Sequence, residues 1–116
     1  MATLELLDED TWEIFLNAPV SVLVLSKNDC NSCLQLAEEL DVWLATEDAF
    51  SHVRFGKLML DYPGMGRFKI AHPWVSNVDI MPFTAIFVNG ERVSEWGGSN
   101  LSRFQNQIQQ ALDSMG

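Results

Sequence analysis

Cys30 and Cys33 are the only thiols in the chain, and two residues separate them. Such a pair can close a disulfide, help hold a metal, or sit inert in a core. The flanking residues favour redox chemistry. Val22-Leu23-Val24-Leu25 is a continuous apolar run of strand length, and Ser26-Lys27-Asn28-Asp29 is a short polar turn. Leu36, Leu40 and Leu44 then recur at the spacing of one helix face. The cysteines therefore fall where the turn becomes the helix. A helix N-terminus presents unpaired N–H groups and the positive end of a dipole, and both favour a thiolate. Cys-x-x-Cys at that junction reads as a redox dithiol. Cys30, nearer the helix start and expected to be the more exposed, is the candidate nucleophile. Cys33, one turn further in, is the candidate resolving thiol. As a structural staple the pair would add little, because so short a loop has little closure entropy to remove. His52 and His72 nominally complete a Cys2His2 zinc set. Their spacing matches no finger pattern and a strand is expected between them, so no metal site is expected.

The elements that must position the dithiol follow from pattern. Thr3 to Leu7 alternates weakly and suits a short first strand. Asp8-Glu9-Asp10-Thr11 supplies caps for a helix from about Asp10 to Leu16, which Asn17-Ala18-Pro19 ends. Val20 to Leu25 is the buried strand. The helix after Cys30 runs to about Thr46, with Leu36, Leu40, Trp43 and Leu44 inward. Val53 to Leu60 reads as a strand, Asp61-Tyr62-Pro63-Gly64 as a turn, and Met65 to Ile70 as a short helix. Ala71 to Asp79 reads as loop. Phe83 to Val88 and Glu91 to Trp96 are strands joined by the hairpin signal Asn89-Gly90. Ser99 or Asn100 caps a last helix carrying Leu101, Phe104, Ile108 and Leu112 on one face. The order β-α-β-α-β-α-β-β-α predicts an α/β domain over residues 1–116. Its mixed central sheet has parallel crossovers, an antiparallel edge hairpin, and helices on both faces.

Composition narrows the partners. At 116 residues the chain suits one domain, and a hydrophobic fraction of 47% excludes disorder. The net charge of −9 argues against nucleic acid or anionic membrane, which need clustered Lys and Arg. No run approaches the ~20 apolar residues of a membrane span. Met1-Ala2-Thr3-Leu4-Glu5 lacks the basic start of a secretory signal. A cytoplasmic location is therefore expected, where a cysteine pair is more plausibly catalytic than structural.

With these elements in order, the chain resembles the thioredoxin family over nearly its whole length. Cys30-x-x-Cys33 follows a buried strand. Lys57-Leu58-Met59-Leu60-Asp61 resembles the family's third strand. Met81-Pro82 precedes a strand as the family's cis-proline does, Phe87-Val88-Asn89-Gly90-Glu91 resembles its hairpin, and Gly98 falls where a glycine borders the active surface. The resemblance implies a thioredoxin-like fold and reduction or exchange of protein disulfides through Cys30 and Cys33. It implies that Met81 and Pro82 flank the dithiol and pair with an extended substrate segment, and that Gly98 lies beside them. The sulfurs carry the chemistry, so no dissociable cofactor is expected. The expected partners are disulfide-bearing proteins and a reductase or other electron donor, acting on a monomer.

The departures from the family pattern are specific. Asp29-Cys30-Asn31-Ser32-Cys33 stands where Trp-Cys-Gly-Pro-Cys is typical. The carboxylate of Asp29 opposes thiolate formation at Cys30, so Asp29→Ala is expected to speed alkylation. The rigid proline between the cysteines is gone. Val24 occupies the position, six residues before Cys30, of a buried acid that assists proton transfer at the resolving cysteine. Lys57, which would face that acid, loses its partner. Glu38 replaces the proline that kinks the active-site helix. The connection from Asp61 to Pro82 is longer than usual and contains Pro73-Trp74-Val75, so Trp74 is expected to lie beside the dithiol as a selectivity anchor or to pack on the core. A second functional class stays open: a thioredoxin-like binding or chaperone module whose cysteines turn over little.

Overall fold

The computed structural model describes residues 3–115. Its elements run β1 (Leu4–Leu6), α1 (Trp12–Leu16), β2 (Val20–Ser26), α2 (Asn31–Thr46), β3 (Arg54–Met59), α3 (Gly66–Ala71), a 3-10 turn (Pro73–Asn77), β4 (Phe83–Val88), β5 (Glu91–Gly97) and α4 (Leu101–Met115). The strands form one sheet in the order β1-β3-β2-β4-β5. β2 lies at its centre, parallel to β3 and antiparallel to β4, and all seven of its residues are buried. That burial explains its unbroken apolar run, because a strand covered on both faces has no reason to alternate.

Side chains alternate across the sheet and build two cores. Val20, Val22 and Val24 of β2 pack with Leu36, Leu40 and Leu44 of α2 and with Phe104 and Ile108 of α4. Leu23 and Leu25 pack on the opposite face with Trp12 and Phe15 of α1 and Phe68 of α3. Trp43, expected inward, is half-buried at the rim of the first core, with Phe50, Phe55 and Phe104 around its ring. β3 is threaded close beneath α1: a Cβ on Gly56 would lie 2.8 Å from the Phe15 ring, so glycine is what lets that ring settle on the strand. Glu5 of β1 accepts two hydrogen bonds from Arg54 of β3, at 2.6 and 2.9 Å, a bidentate pair that helps tie the edge strand in place.

One local expectation is corrected and one open choice is resolved. The segment from Ala71 to Asp79 is not plain loop, because Pro73 opens a 3-10 turn and Val75 is buried within it. Pro73 supplies a preset φ at the first position, and Val75 joins the core shared with Phe68. The last helix is capped by Asn100 rather than Ser99, its Oδ1 accepting from the N–H of Arg103 at 2.9 Å. Among the described residues, no helix is long and apolar enough to cross a membrane.

Candidate active site

β2 delivers the chain to the sheet end, where Lys27, Asn28 and Asp29 form an exposed turn before α2 begins. Asp61, just past β3, accepts from the N–H of Asn28 at 2.9 Å and so fixes this turn across 33 residues of sequence. Asp29 has φ 57°, a left-handed conformation that Asp and Asn tolerate better than other side chains. The kink brings Cys30 to the N-cap of α2, where its Sγ accepts from the N–H of Cys33 at 3.2 Å.

Cys30 and Cys33 are joined in a disulfide, with Cα atoms 5.2 Å apart. Cys30 is 7% exposed and Cys33 4%, so the expected difference in exposure between the two thiols is small in this oxidised state. The loop before β4 lies against Cys30. The Met81–Pro82 peptide in that loop is cis. The Met81 carbonyl oxygen lies 4.0 Å from Cys30 Sγ and 3.2 Å from the Ser32 hydroxyl, which donates to it. The Pro82 carbonyl accepts from the N–H of Gly98 at 2.9 Å, and Gly98 takes φ 106° to present that donor. Cys30, Cys33, Met81, Pro82 and Gly98 are thus gathered at one end of the sheet. Leu34 and Ile80 flank them as exposed apolar side chains.

Trp74 has a different set of neighbours. It is half-buried against the core below α3, with the Arg92 guanidinium 4.1 Å over its ring and Phe83 and His72 beside it. Phe83 directly follows Pro82, so the tryptophan meets the active loop through one intervening ring. Lys57 is half-buried, pairs in register with Val24, and makes no ion pair among the described residues. His72 lies over Phe68 and within 3.0 Å of its carbonyl, while His52 is exposed. Among the described residues, no three His, Cys, Asp or Glu side chains converge as a metal site would need.

Ser32 and Asp61 are functional candidates that sequence reasoning passed over. The only signal for Ser32 was its position between the cysteines, and Asp61 read as an ordinary turn residue.

No protein-family model and no curated protein sequence matches the chain. Solved structures do. Thioredoxin f2 of Chlamydomonas reinhardtii superposes with a TM-score of 0.74 at 22% identity, covering 93% of this chain and 95% of that one. The Malassezia sympodialis thioredoxin Mala s 13 gives 0.76 at 18% identity, covering 95% and 91%. The short form of spinach chloroplast thioredoxin f gives 0.74 at 22%, covering 95% and 94%. At these identities the likeness establishes the fold: this is a thioredoxin fold with Cys-Asn-Ser-Cys at the start of its second helix.

The geometry sharpens one expectation about reactivity. Asp29 is exposed and adjacent to Cys30, and its left-handed backbone would strain an alanine. Asp29→Asn removes the charge and keeps a side chain suited to that backbone. With the disulfide reduced, Asp29→Asn is expected to alkylate at Cys30 about two- to fivefold faster near neutral pH, the gain shrinking with added salt. Iodoacetamide kinetics across a pH series measure it, and an unchanged or slower rate would remove Asp29 as a brake on the thiolate.

Proposed function

We propose that this chain is a thiol–disulfide oxidoreductase that reduces or exchanges disulfides of protein substrates through Cys30 and Cys33. The observation that carries the reading is the Cys30–Cys33 disulfide across the first turn of α2, faced by the Met81 carbonyl. Two electrons from a reductase or other donor open that disulfide to the dithiol. The Cys30 thiolate then attacks one sulfur of a substrate disulfide. A Cys30–substrate S–S bond forms, the substrate's own S–S bond breaks, and its other sulfur leaves as a thiolate. Cys33, as a thiolate, attacks Cys30 Sγ, re-forms the internal disulfide and expels the second substrate thiolate. Substrate gains two electrons and two protons, and the chain returns oxidised. The sulfurs hold the electrons throughout, so the cycle calls for no dissociable cofactor.

A strand-like substrate segment would lie against Met81 and Pro82, with the Met81 backbone as its hydrogen-bonding edge, Gly98 leaving room beside it, and Leu34 and Ile80 supplying apolar contact. The proposal includes a monomeric chain acting in the cytoplasm. Insulin reduction driven by dithiothreitol, scored against a chain with both cysteines replaced by serine, tests the activity. Turnover equal to that of the double variant would end the redox reading.

A second reading, a binding or chaperone module with little turnover, draws on Val24. The residue is 3% exposed and brings no carboxylate to the core beneath α2. Peptide binding that survives replacement of both cysteines, without insulin reduction by the native chain, would favour it.

Trp74 would act as a selectivity anchor for protein substrates that extend past Pro82 to the cleft between Trp74, Phe83 and Arg92. Because the ring also packs on the core, Trp74→Ala is expected to cost about 2 kcal/mol of stability. Per folded molecule, it should slow reduction of a protein substrate while sparing a small aromatic disulfide. Equal effects on both substrates would leave Trp74 as packing alone.

A further inference from the structure

Ser32 offers one hydroxyl proton to two acceptors. Its Oγ is 3.2 Å from the Met81 carbonyl oxygen, to which it donates, and 3.6 Å from Cys30 Sγ. The larger sulfur makes that second distance a workable hydrogen bond. In the disulfide, sulfur is a weak acceptor and the carbonyl wins the proton. In the reduced chain Cys30 becomes a thiolate, and a charged acceptor makes the stronger bond. The side chain is half-buried, so water competes only in part.

We propose that the Ser32 hydroxyl is a redox-linked positioning switch: it caps the Met81 carbonyl when the chain is oxidised, and turns to Cys30 when the chain is reduced. The hydroxyl keeps its proton in both states, and only the acceptor changes. Two consequences follow from the one rotation. The reduced chain gains a second donor to the Cys30 thiolate, beside the Cys33 N–H at 3.2 Å, which works against the neighbouring Asp29 charge. The Met81 carbonyl is freed to accept an N–H from a substrate backbone in the state that must bind substrate. It is capped again once the internal disulfide re-forms, which favours release of reduced product. The switch rests on the redox reading above, since it needs Cys30 to alternate between disulfide and thiolate.

Ser32→Ala removes the proton without disturbing α2, because alanine suits a first helical turn. Ser32→Thr restores a hydroxyl. Cys30 alkylation by iodoacetamide, followed by mass spectrometry across pH, is expected to shift its midpoint upward by about one pH unit in Ser32→Ala and to return towards the native value in Ser32→Thr. The second readout is the affinity of the oxidised and reduced chains for an extended, cysteine-free peptide. The native chain should bind about fivefold tighter when reduced, and Ser32→Ala should bind both forms alike. Superimposed alkylation profiles, or an affinity ratio that survives in Ser32→Ala, would overturn the switch. Those outcomes are separable from failure of the redox reading. Intact insulin reduction with superimposed profiles removes the switch alone. Both expected shifts without insulin reduction by the native chain remove the activity and keep the hydroxyl's alternation.

Discussion

Cys30→Ser is expected to abolish disulfide reduction, and Cys33→Ser to stop it one step later, with substrate covalently attached to Cys30. The asymmetry comes from position on α2. Cys30 is the N-cap, in contact with the Met81 carbonyl and receiving the Cys33 N–H, so under the proposed cycle it is the sulfur that would attack the incoming disulfide. Cys33 lies a turn deeper on the buried side of the helix. A serine at 30 leaves no thiolate at the front, and activity should fall by at least about a thousandfold, to the level of the double variant. A serine at 33 leaves the first exchange intact but removes the thiol that would break the mixed disulfide. Non-reducing electrophoresis of Cys33→Ser after incubation with insulin should show the adduct, and dithiothreitol should dissolve it. Native turnover by Cys33→Ser, or an adduct formed equally by Cys30→Ser, would reverse the roles assigned to the two sulfurs.

The parts of this molecule that were legible in its sequence are those governed by short-range patterns. β2 announces itself because both of its faces are covered, and α2 because Leu36, Leu40 and Leu44 return to the same face. Asn89-Gly90 predicts its hairpin for a backbone reason, since both residues take positive φ, at 51° and 85°. The gathering of Cys30, Pro82 and Gly98 at one sheet end was reached through resemblance; spacing alone could not bring residues so distant in sequence together. The parts missed depend on single tertiary contacts. Ser32 gains its interest from a carbonyl 49 residues away, and Asp61 from an N–H 33 residues away. The 3-10 turn at Pro73–Asn77 has no periodicity to betray it, and its order comes from burying Val75 and seating Trp74 under Arg92. The near-equal burial of the two cysteines likewise follows from the disulfide and the Met81 loop.

Val24→Asp should change both stability and mechanism, and the sheet register says why. Val24 is flanked in register by Lys57 on β3 and Thr84 on β4, all three on the face beneath α2. Thr84 is 0% exposed, and among the described residues its hydroxyl has no hydrogen-bond partner and Lys57 makes no ion pair. The native core therefore carries two polar groups on either side of a valine. An aspartate between them would have a donor on each side, and it would stand below the helix that carries Cys33. The substitution still gives up a buried apolar side chain and buries a carboxyl, so a loss of about 3 kcal/mol at neutral pH is expected. Burial raises the carboxyl above its unfolded value near pH 4, and half-exposed Lys57 offsets only part of that. The protonated form is then the one the fold prefers. Relative to the native chain, Val24→Asp should be least penalised below about pH 4 and lose stability as pH rises through the raised folded value. Removing Lys57 from the variant should deepen the loss, whereas Lys57→Met in the native chain should cost little. The mechanistic effect has the opposite sign. A carboxylate able to take the Cys33 proton should speed escape from the Cys30–substrate disulfide by about tenfold or more. Urea unfolding at pH 4 and pH 7, paired with single-turnover release of a labelled substrate, measures the two effects separately. A variant with the expected pH-dependent stability but native release kinetics would show that proton removal at Cys33 does not limit this site, and that its valine costs the chain nothing in turnover.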